Sequence, residues 1–402
     1  MLEKIAEIVK TPCYLVDEKK ITDNCKILKG VNERTGSKIL LAQKAFSMYS
    51  MYPVISNYLQ GTTASGLYEA KLGKEEFGKE THVYSAAYKD EDMDEILQYS
   101  DHIVFNSFNQ FYRFRDKAIQ LNKEIGIRIN PGCSTQEGHD IYNPCGFGSR
   151  LGVTIEEFEK NSHDLRGLCG LHFHTLCEQN SDALSITMES VEKDFGKYLH
   201  KLKWINFGGG HHITREDYDI ELLENIINHV KESYNVDVYL EPGEAVALNA
   251  GYLVASVLDI VSNDINIAIL DTSAACHMPD VLEMPYEPRI TGAMTLKQME
   301  EAVIKKDAEE KNKSIFMLNN KYSHMYRLAG PTCLAGDIIG DYYFEKELQK
   351  DDRLIFHDMA IYSMVKNNTF NGMPLPDIDI LHGDGSVENI KTFGYEDFKS
   401  RI

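Results

Sequence analysis

"KILLAQKAFSMYS", residues 38–50, sets Lys44 directly after an apolar run that reads as a buried strand. The pattern then recurs. From residue 38 to 243, a short apolar or β-branched run ends in a polar or glycine-containing segment and gives way to an amphipathic stretch long enough for a helix. The strand readings are "KILLAQK" (38–44), "TTASG" (62–66), "HVYSA" (82–86), "HIVFNS" (102–107), "IGIRIN" (125–130), "LCGLHFH" (168–174), "WINFGGG" (204–210) and "VDVYLEPG" (236–243). Between them the spacing is helical, as in Leu184, Met188, Val191, Phe195, Tyr198 and Leu199, one apolar stripe suited to covering a sheet.

Eight such units predict an α/β chain whose main domain is a (β/α)8 barrel of the TIM type, with its chemistry at the C-terminal ends of the strands. Lys44, Ser65, Arg128, His174, Gly208 to Gly210 and Glu241 each end a predicted strand or open the loop after it. A doubly wound open sheet would place its loops similarly, and spacing does not separate the two.

After residue 250 the texture changes to strand-like runs such as "GYLVASVLDIV", "INIAILD", "YRLAGPTC" and "RLIFHDM", with one lysine-rich helical insertion near 295–313. This predicts a C-terminal β domain, a sandwich or barrel. The N-terminal "TPCYLVD" (11–17) reads as a strand able to join it. The expected division is 18–250 for the (β/α)8 barrel and 1–17 with 251–402 for the β domain.

Composition bounds the function. The 402 residues carry a formal charge of -20, which disfavours nucleic acid and anionic membranes and favours cationic small molecules, although solubility alone makes many proteins acidic. The eight cysteines form no C-x-x-C pair, so neither a metal site nor a disulfide framework is expected. The N-terminus lacks an apolar leader core, and no run approaches the length of a membrane span. A cytoplasmic location is the expectation.

Taken singly, the polar strand ends have ordinary explanations. A lysine after a strand reaches water, a glycine run makes a tight turn, and a histidine or glutamate satisfies a neighbour. Together they match the needs of pyridoxal 5'-phosphate: an amine for a Schiff base, backbone N–H groups for phosphate, a carboxylate for the pyridine nitrogen and a group on the ring face. Lys44, Gly208 to Gly210, Glu241 and His174 could supply these in turn.

At this point the chain resembles the alanine-racemase-fold pyridoxal-phosphate decarboxylases, the group of ornithine and diaminopimelate decarboxylases. The likeness runs through "AQKA" (42–45), "ASG" (64–66), "RINPG" (128–132), "SRLGV" (149–153), "HFHT" (172–175), "NFGGGHH" (206–212), "LEPGE" (240–244), "GPTCLAGD" (330–337) and "MAIYSMVKNNTFNG" (359–372). Their order along the chain is more specific than any one of them. The resemblance implies that Lys44 holds the cofactor, His174 stacks on its ring, Gly208, Gly209 and Gly210 with Tyr362 bind phosphate, and Glu241 meets the pyridine nitrogen. Ser65 and Arg128 are the further cofactor contacts. Cys333 would donate a proton from the partner subunit, so the implied assembly is a homodimer with shared active sites.

One departure narrows the substrate. Relatives usually follow "EPG" with arginine, whereas this chain has Glu244. That change, with "CHMPDVLEMPYEP" (276–288), is similar to members acting on carboxylated triamines of polyamine biosynthesis, carboxynorspermidine and carboxyspermidine. Asp337, Glu283, Asp280 and Glu244 are the candidates for the cationic tail, and Arg289 for the substrate carboxylate. Diaminopimelate or another basic amino acid is the alternative substrate. Racemisation ranks lower, because racemases carry tyrosine where Cys333 stands. A non-catalytic regulatory homologue is the reading of a different class, and retention of Lys44 and Cys333 argues against it.

Overall fold

The structure, a computed structural model, describes residues 2–136, 142–304 and 308–402. The chain forms two compact units, Ile21–Leu248 and Met1–Lys20 with Asn249–Ile402.

In the first unit eight parallel strands close into a barrel in chain order: β2 (Lys38–Ala42), β3 (Gly61–Ala64), β4 (Glu80–Tyr84), β5 (His102–Phe105), β6 (Glu124–Arg128), β7 (Leu168–His172), β8 (Trp204–Asn206) and β9 (Asp237–Leu240), with β1 being Cys13–Asp17 of the other unit. The seam joins Lys38 to Tyr239 and Ile39 to Leu240. All eight expected strands are present, and the closed ring excludes the open sheet. Most end earlier than the apolar reading suggested, because their last polar residues turn into loops. Lys44, for example, sits two residues past β2, in a turn closed by the Ala45 N–H on the Ala42 carbonyl.

The barrel is filled from within. Trp204, almost fully buried, packs with Leu40, Val104 and Tyr239. Its indole fits only because neighbouring strands carry glycine: a Cβ at Gly170 would meet the ring at 2.0 Å and one at Gly126 at 2.4 Å. Outside, the helix Ser181–Leu199 buries Leu184, Met188, Val191, Phe195 and Leu199, the stripe read from the sequence.

The second unit is built on one mixed nine-stranded sheet, ordered β12-β14-β13-β11-β10-β1-β16-β17 with β15 on β10. These are β10 (Gly251–Asn263), β11 (Ile265–Leu270), β12 (Ala293–Met294), β13 (His324–Ala329), β14 (Ile338–Phe344), β15 (Arg353–His357), β16 (Asp377–Leu381) and β17 (Val387–Lys391). The N-terminal strand β1 joins as expected, antiparallel to β10 and parallel to β16. "YRLAGPTC" is strand only to Ala329, after which Gly330 onward forms a loop. The expected insertion holds two helices, Leu296–Glu301 and Ala308–Lys321; its residues 305–307 lie outside the described residues.

Candidate active site

The turn carrying Lys44 is anchored from below. Gln43 is fully buried, donates to the Glu69 carbonyl at 2.8 Å and accepts the Tyr52 hydroxyl at 3.0 Å. Held by this base, Lys44 faces a cavity of about 250 Å³ at the C-terminal mouth of the barrel, shared with Ser65, Tyr84, Arg128, His174 and Glu241. The residue is exposed, yet protein stands around it on the cavity wall. Desolvation first, then Arg128, lowers its pKa against the opposing pull of Glu241 and Glu244. A lowered amine is more often unprotonated, the form that attacks an aldehyde.

Glu241 follows β9 and is 7% exposed. Asn206, at the end of β8, donates to its Oε1 at 2.7 Å, and His172 Nε2 lies 3.4 Å from its Oε2. Burial alone would raise the carboxyl, but these partners outweigh it and hold the group below the usual carboxylate range. His172 is driven toward neutrality by its own burial. The site therefore offers one buried anion, Glu241, facing an amine.

His174 lies two residues past β7. Its Nδ1 accepts the Gly209 N–H at 2.8 Å, while the Gly208 N–H goes to Asn206 Oδ1 at 2.8 Å. Two of the three N–H groups expected to cradle phosphate thus already serve the loop. The Gly210 N–H has no protein acceptor among the described residues. The glycines themselves are required by close approach: a Cβ would meet the Phe173 carbonyl at 2.3 Å from Gly208 and the Leu176 carbonyl at 1.9 Å from Gly210, both at positive φ. No side chain fills that loop.

Arg128 ends β6, donates to the His174 carbonyl at 3.0 Å and lies over the Tyr84 ring at 4.7 Å. Tyr84 and Arg150, which line the same cavity, were not among the residues singled out from the sequence. Asn106 ties them together: its Oδ1 accepts the Tyr84 hydroxyl at 2.8 Å, and its Nδ2 donates to the Arg150 carbonyl at 2.8 Å. Arg150 stood in the quoted "SRLGV", so that motif carried the available signal. Ser65 lines the cavity, with its N–H on Glu69 Oε2 at 2.6 Å.

Glu244 opens the short helix Glu244–Ala247. It lies 3.3 Å from the buried His212, and the donor atoms of Glu178, His212 and Glu244 fall within 4.8 Å of one another. Glu178 was not anticipated. It adds a second acid beside the one that replaced arginine.

The remaining candidates belong to the sheet unit. Cys333 is exposed, and its N–H donates to Asn371 Oδ1 at 2.7 Å. Asp337, 2% exposed, is spent within its own loop: Oδ2 accepts Ser273 at 2.8 Å and Thr332 at 2.7 Å, and Oδ1 accepts the Ala275 N–H at 3.2 Å. These bonds tie Asp337 to the loop that carries Cys333. Asp280 and Glu283 converge on Lys366, the latter at 2.7 Å. Arg289 is exposed and donates to Asn249 Oδ1 at 3.0 Å. Tyr362 adopts φ 58° at the start of the short helix Ser363–Lys366.

The barrel donor set fits pyridoxal phosphate: an amine of lowered pKa, a buried carboxylate, an imidazole, two guanidinium groups and a glycine loop that a Cβ would fill. Comparison with known proteins points the same way. The family described as "Pyridoxal-dependent decarboxylase, C-terminal sheet domain" matches residues 13–360. The chain is 44% identical over 395 residues to a carboxynorspermidine/carboxyspermidine decarboxylase of Campylobacter jejuni, covering 98% of this chain and 99% of that one. It is 38% identical to a carboxyaminopropylagmatine decarboxylase of a Synechocystis species, covering 98% and 95%. The crystal structure of the Campylobacter jejuni carboxynorspermidine decarboxylase complexed with norspermidine superposes with a TM-score of 0.87 at 41% identity, covering 98% and 100%.

Proposed function

Because the chain belongs to the pyridoxal-dependent decarboxylases, we propose that it removes carbon dioxide from a carboxylated triamine, carboxynorspermidine or carboxyspermidine, and releases norspermidine or spermidine. The observation that carries this reading is the likeness, 44% identical along nearly the whole of both chains, to a relative named for that reaction. A pair of acids supports it: Glu244, whose charge acts on Lys44, and Glu178 beside it lower the cost of desolvating ammonium groups that stay charged.

Pyridoxal phosphate, when bound, supplies an electron sink for the pair left by a departing α-carboxylate. Lys44 would hold the cofactor through its amine. Glu241 would hold the pyridine nitrogen, and His174 would pack on the ring. Gly210, with Gly208, Gly209, Ser65, Arg128 and Tyr362, would bind the phosphate end. Cys333 would return a proton to Cα from its thiol. The cationic tail is taken by Glu244, with Asp280 and Glu283 as further acids, and Arg289 takes the substrate carboxylate.

The working form in this reading is a homodimer in which each subunit's Cys333 completes its partner's site. All eight cysteines are free, which supports a reduced, cytoplasmic setting. Among the described residues no helix is long and apolar enough to cross a membrane.

A second substrate reading follows from the Synechocystis relative, named for carboxyaminopropylagmatine, a molecule whose tail ends in a guanidinium rather than an ammonium. The deciding assay measures carbon dioxide release from carboxynorspermidine, carboxyspermidine, carboxyaminopropylagmatine, diaminopimelate, ornithine and lysine. The reading requires the highest kcat/KM on a carboxylated triamine. Preference for the guanidinium substrate or for diaminopimelate overturns it.

A further inference from the structure

At the opposite, N-terminal end of the barrel lies a second cavity of about 310 Å³ that the chemistry above does not use. Its wall includes Lys38, Glu80, His102, Trp204 and Tyr239. Beneath it, Glu80 and His82 project from alternate positions of β4, so both face the barrel interior. His102 on β5 is the register partner of His82. Two imidazoles and a carboxylate therefore meet on adjacent strands.

Their spacing has the dimensions of a metal site. His102 Nε2 lies 3.0 Å and His82 Nε2 3.5 Å from the same oxygen, Glu80 Oε1, and the three donor atoms fall within 4.8 Å of one another. Ligands at about 2.05 Å in tetrahedral array around zinc stand about 3.4 Å apart. His82 is 1% exposed, and neither ring nitrogen has a hydrogen bond of acceptable geometry. A buried imidazole is not left so without cost.

The surroundings support the carboxylate as a ligand. The Tyr239 hydroxyl donates to Glu80 Oε1 at 3.0 Å and in turn accepts Lys38 Nζ at 2.7 Å, while Lys38 lies 3.9 Å from the other oxygen. Such outer hydrogen bonds fix the orientation of ligating carboxylates. The two histidine rings are stacked, with centroids 3.9 Å apart and planes at 13°. Converging both lone pairs on one ion requires the rings to tilt apart.

We propose that Glu80, His82 and His102 bind a divalent transition-metal ion of the zinc type, clamping β4 to β5 at the base of the barrel. Imidazole and carboxylate ligands suit such ions and not calcium or magnesium.

The test uses the cofactor-loaded protein, stripped with a chelator and titrated with Zn2+ and, as a coloured substitute, with Co2+. One ion per chain is expected, with Co2+ d–d bands of a nitrogen/oxygen site and no thiolate charge transfer. Co-crystals with Zn2+ should show an anomalous peak between Glu80 and His102. Glu80→Gln and His102→Gln should each weaken binding by at least about a hundredfold, whereas Glu244→Gln should leave it unchanged. If these barrel variants fail to fold, the wild-type spectrum and anomalous peak decide alone. Absence of uptake, thiolate bands, or binding lost in Glu244→Gln but kept in Glu80→Gln overturns the proposal.

Discussion

Nδ1 of His174 accepts the backbone N–H of Gly209 at 2.8 Å. An accepting Nδ1 puts the ring proton of the neutral imidazole on Nε2. Burial first, then Lys44 and Arg128, drives the ring well below its ordinary pKa, so the neutral form prevails. One bond thus fixes the tautomer of the histidine and the shape of the glycine loop. His174→Phe keeps a flat face for the cofactor but leaves the Gly209 N–H without its acceptor. The expected result is cofactor affinity weakened by about tenfold, within the cost of an unpaired buried donor, read by titrating the stripped variant with pyridoxal phosphate. Unchanged affinity would separate the loop from cofactor binding.

Lys44→Ala should remove both turnover and the cofactor fixed covalently by borohydride. Because Lys44 is exposed, Tm should stay within about 2 °C. Cys333→Ala should be nearly inactive with cofactor attachment intact. Mixed after subunit exchange, the two variants should regain up to about a quarter of wild-type activity, since random pairing gives half heterodimers with one native site each. A mixture that exchanges subunits but stays inactive would put Cys333 in its own chain's site.

Asp337→Ala deletes the acceptor of Ser273, Thr332 and the Ala275 N–H. Loss of a buried, charge-assisted set should cost roughly 1.5–3 kcal/mol of stability. In urea titrations the variant should unfold earlier, and its kcat should fall more than its KM rises, because the disturbed loop bears Cys333. A large KM change with unaltered stability would make Asp337 a contact of the substrate tail.

Stability should decline on mild acidification through buried neutral histidines. Burial lowers His211 to about 4 from an ordinary 6.5. Between those values the unfolded chain binds a proton that the folded one does not, so stability rises with pH across this window and is lost as pH falls. Below about 4 both states are protonated and this dependence ends. His211→Gln should flatten the pH dependence of the urea transition by about one proton, about 1.4 kcal/mol per pH unit. An unchanged slope would mean that His211 titrates normally.

The barrel was legible because strands buried on both faces write themselves as apolar runs, each followed by a helical stripe. Strand ends were less so: Lys44 and His174 belong to turns whose hydrogen bonds come from distant residues. β16, "DIDIL", was not read at all. Asp377 and Asp379 disguise it, yet both are buried, because Lys10 reaches Asp377 at 3.1 Å and the Cys13 thiol reaches Asp379 at 3.2 Å. Those partners are more than 360 residues away in the chain. In the site, the amine, the carboxylate and the glycine loop announced themselves by residue type. Tyr84 and Arg150 did not, since only Asn106 and the fold of the loops bring them to the cavity, and Glu178 meets Glu244 only through the fold. For Asp337 the residue type was legible and its partners Ser273, Thr332 and Ala275 were not, because a carboxylate's partners cannot be counted from its neighbours in sequence.

β1 has an implication for how the protein is made. Residues 13–17 leave the ribosome before the barrel strands, but their antiparallel partner begins at Gly251 and their parallel partner at Asp377. At about 5–20 residues per second, roughly 10–50 s separate β1 from the first residues of β10. All eight barrel strands are synthesised in that interval. Cys13, Tyr14, Leu15 and Val16, all buried in the finished sheet, have no strand to pair with meanwhile. A strand translated ahead of the whole barrel is thus laid in place after it, and residues 13–16 are a segment that a chaperone has reason to hold.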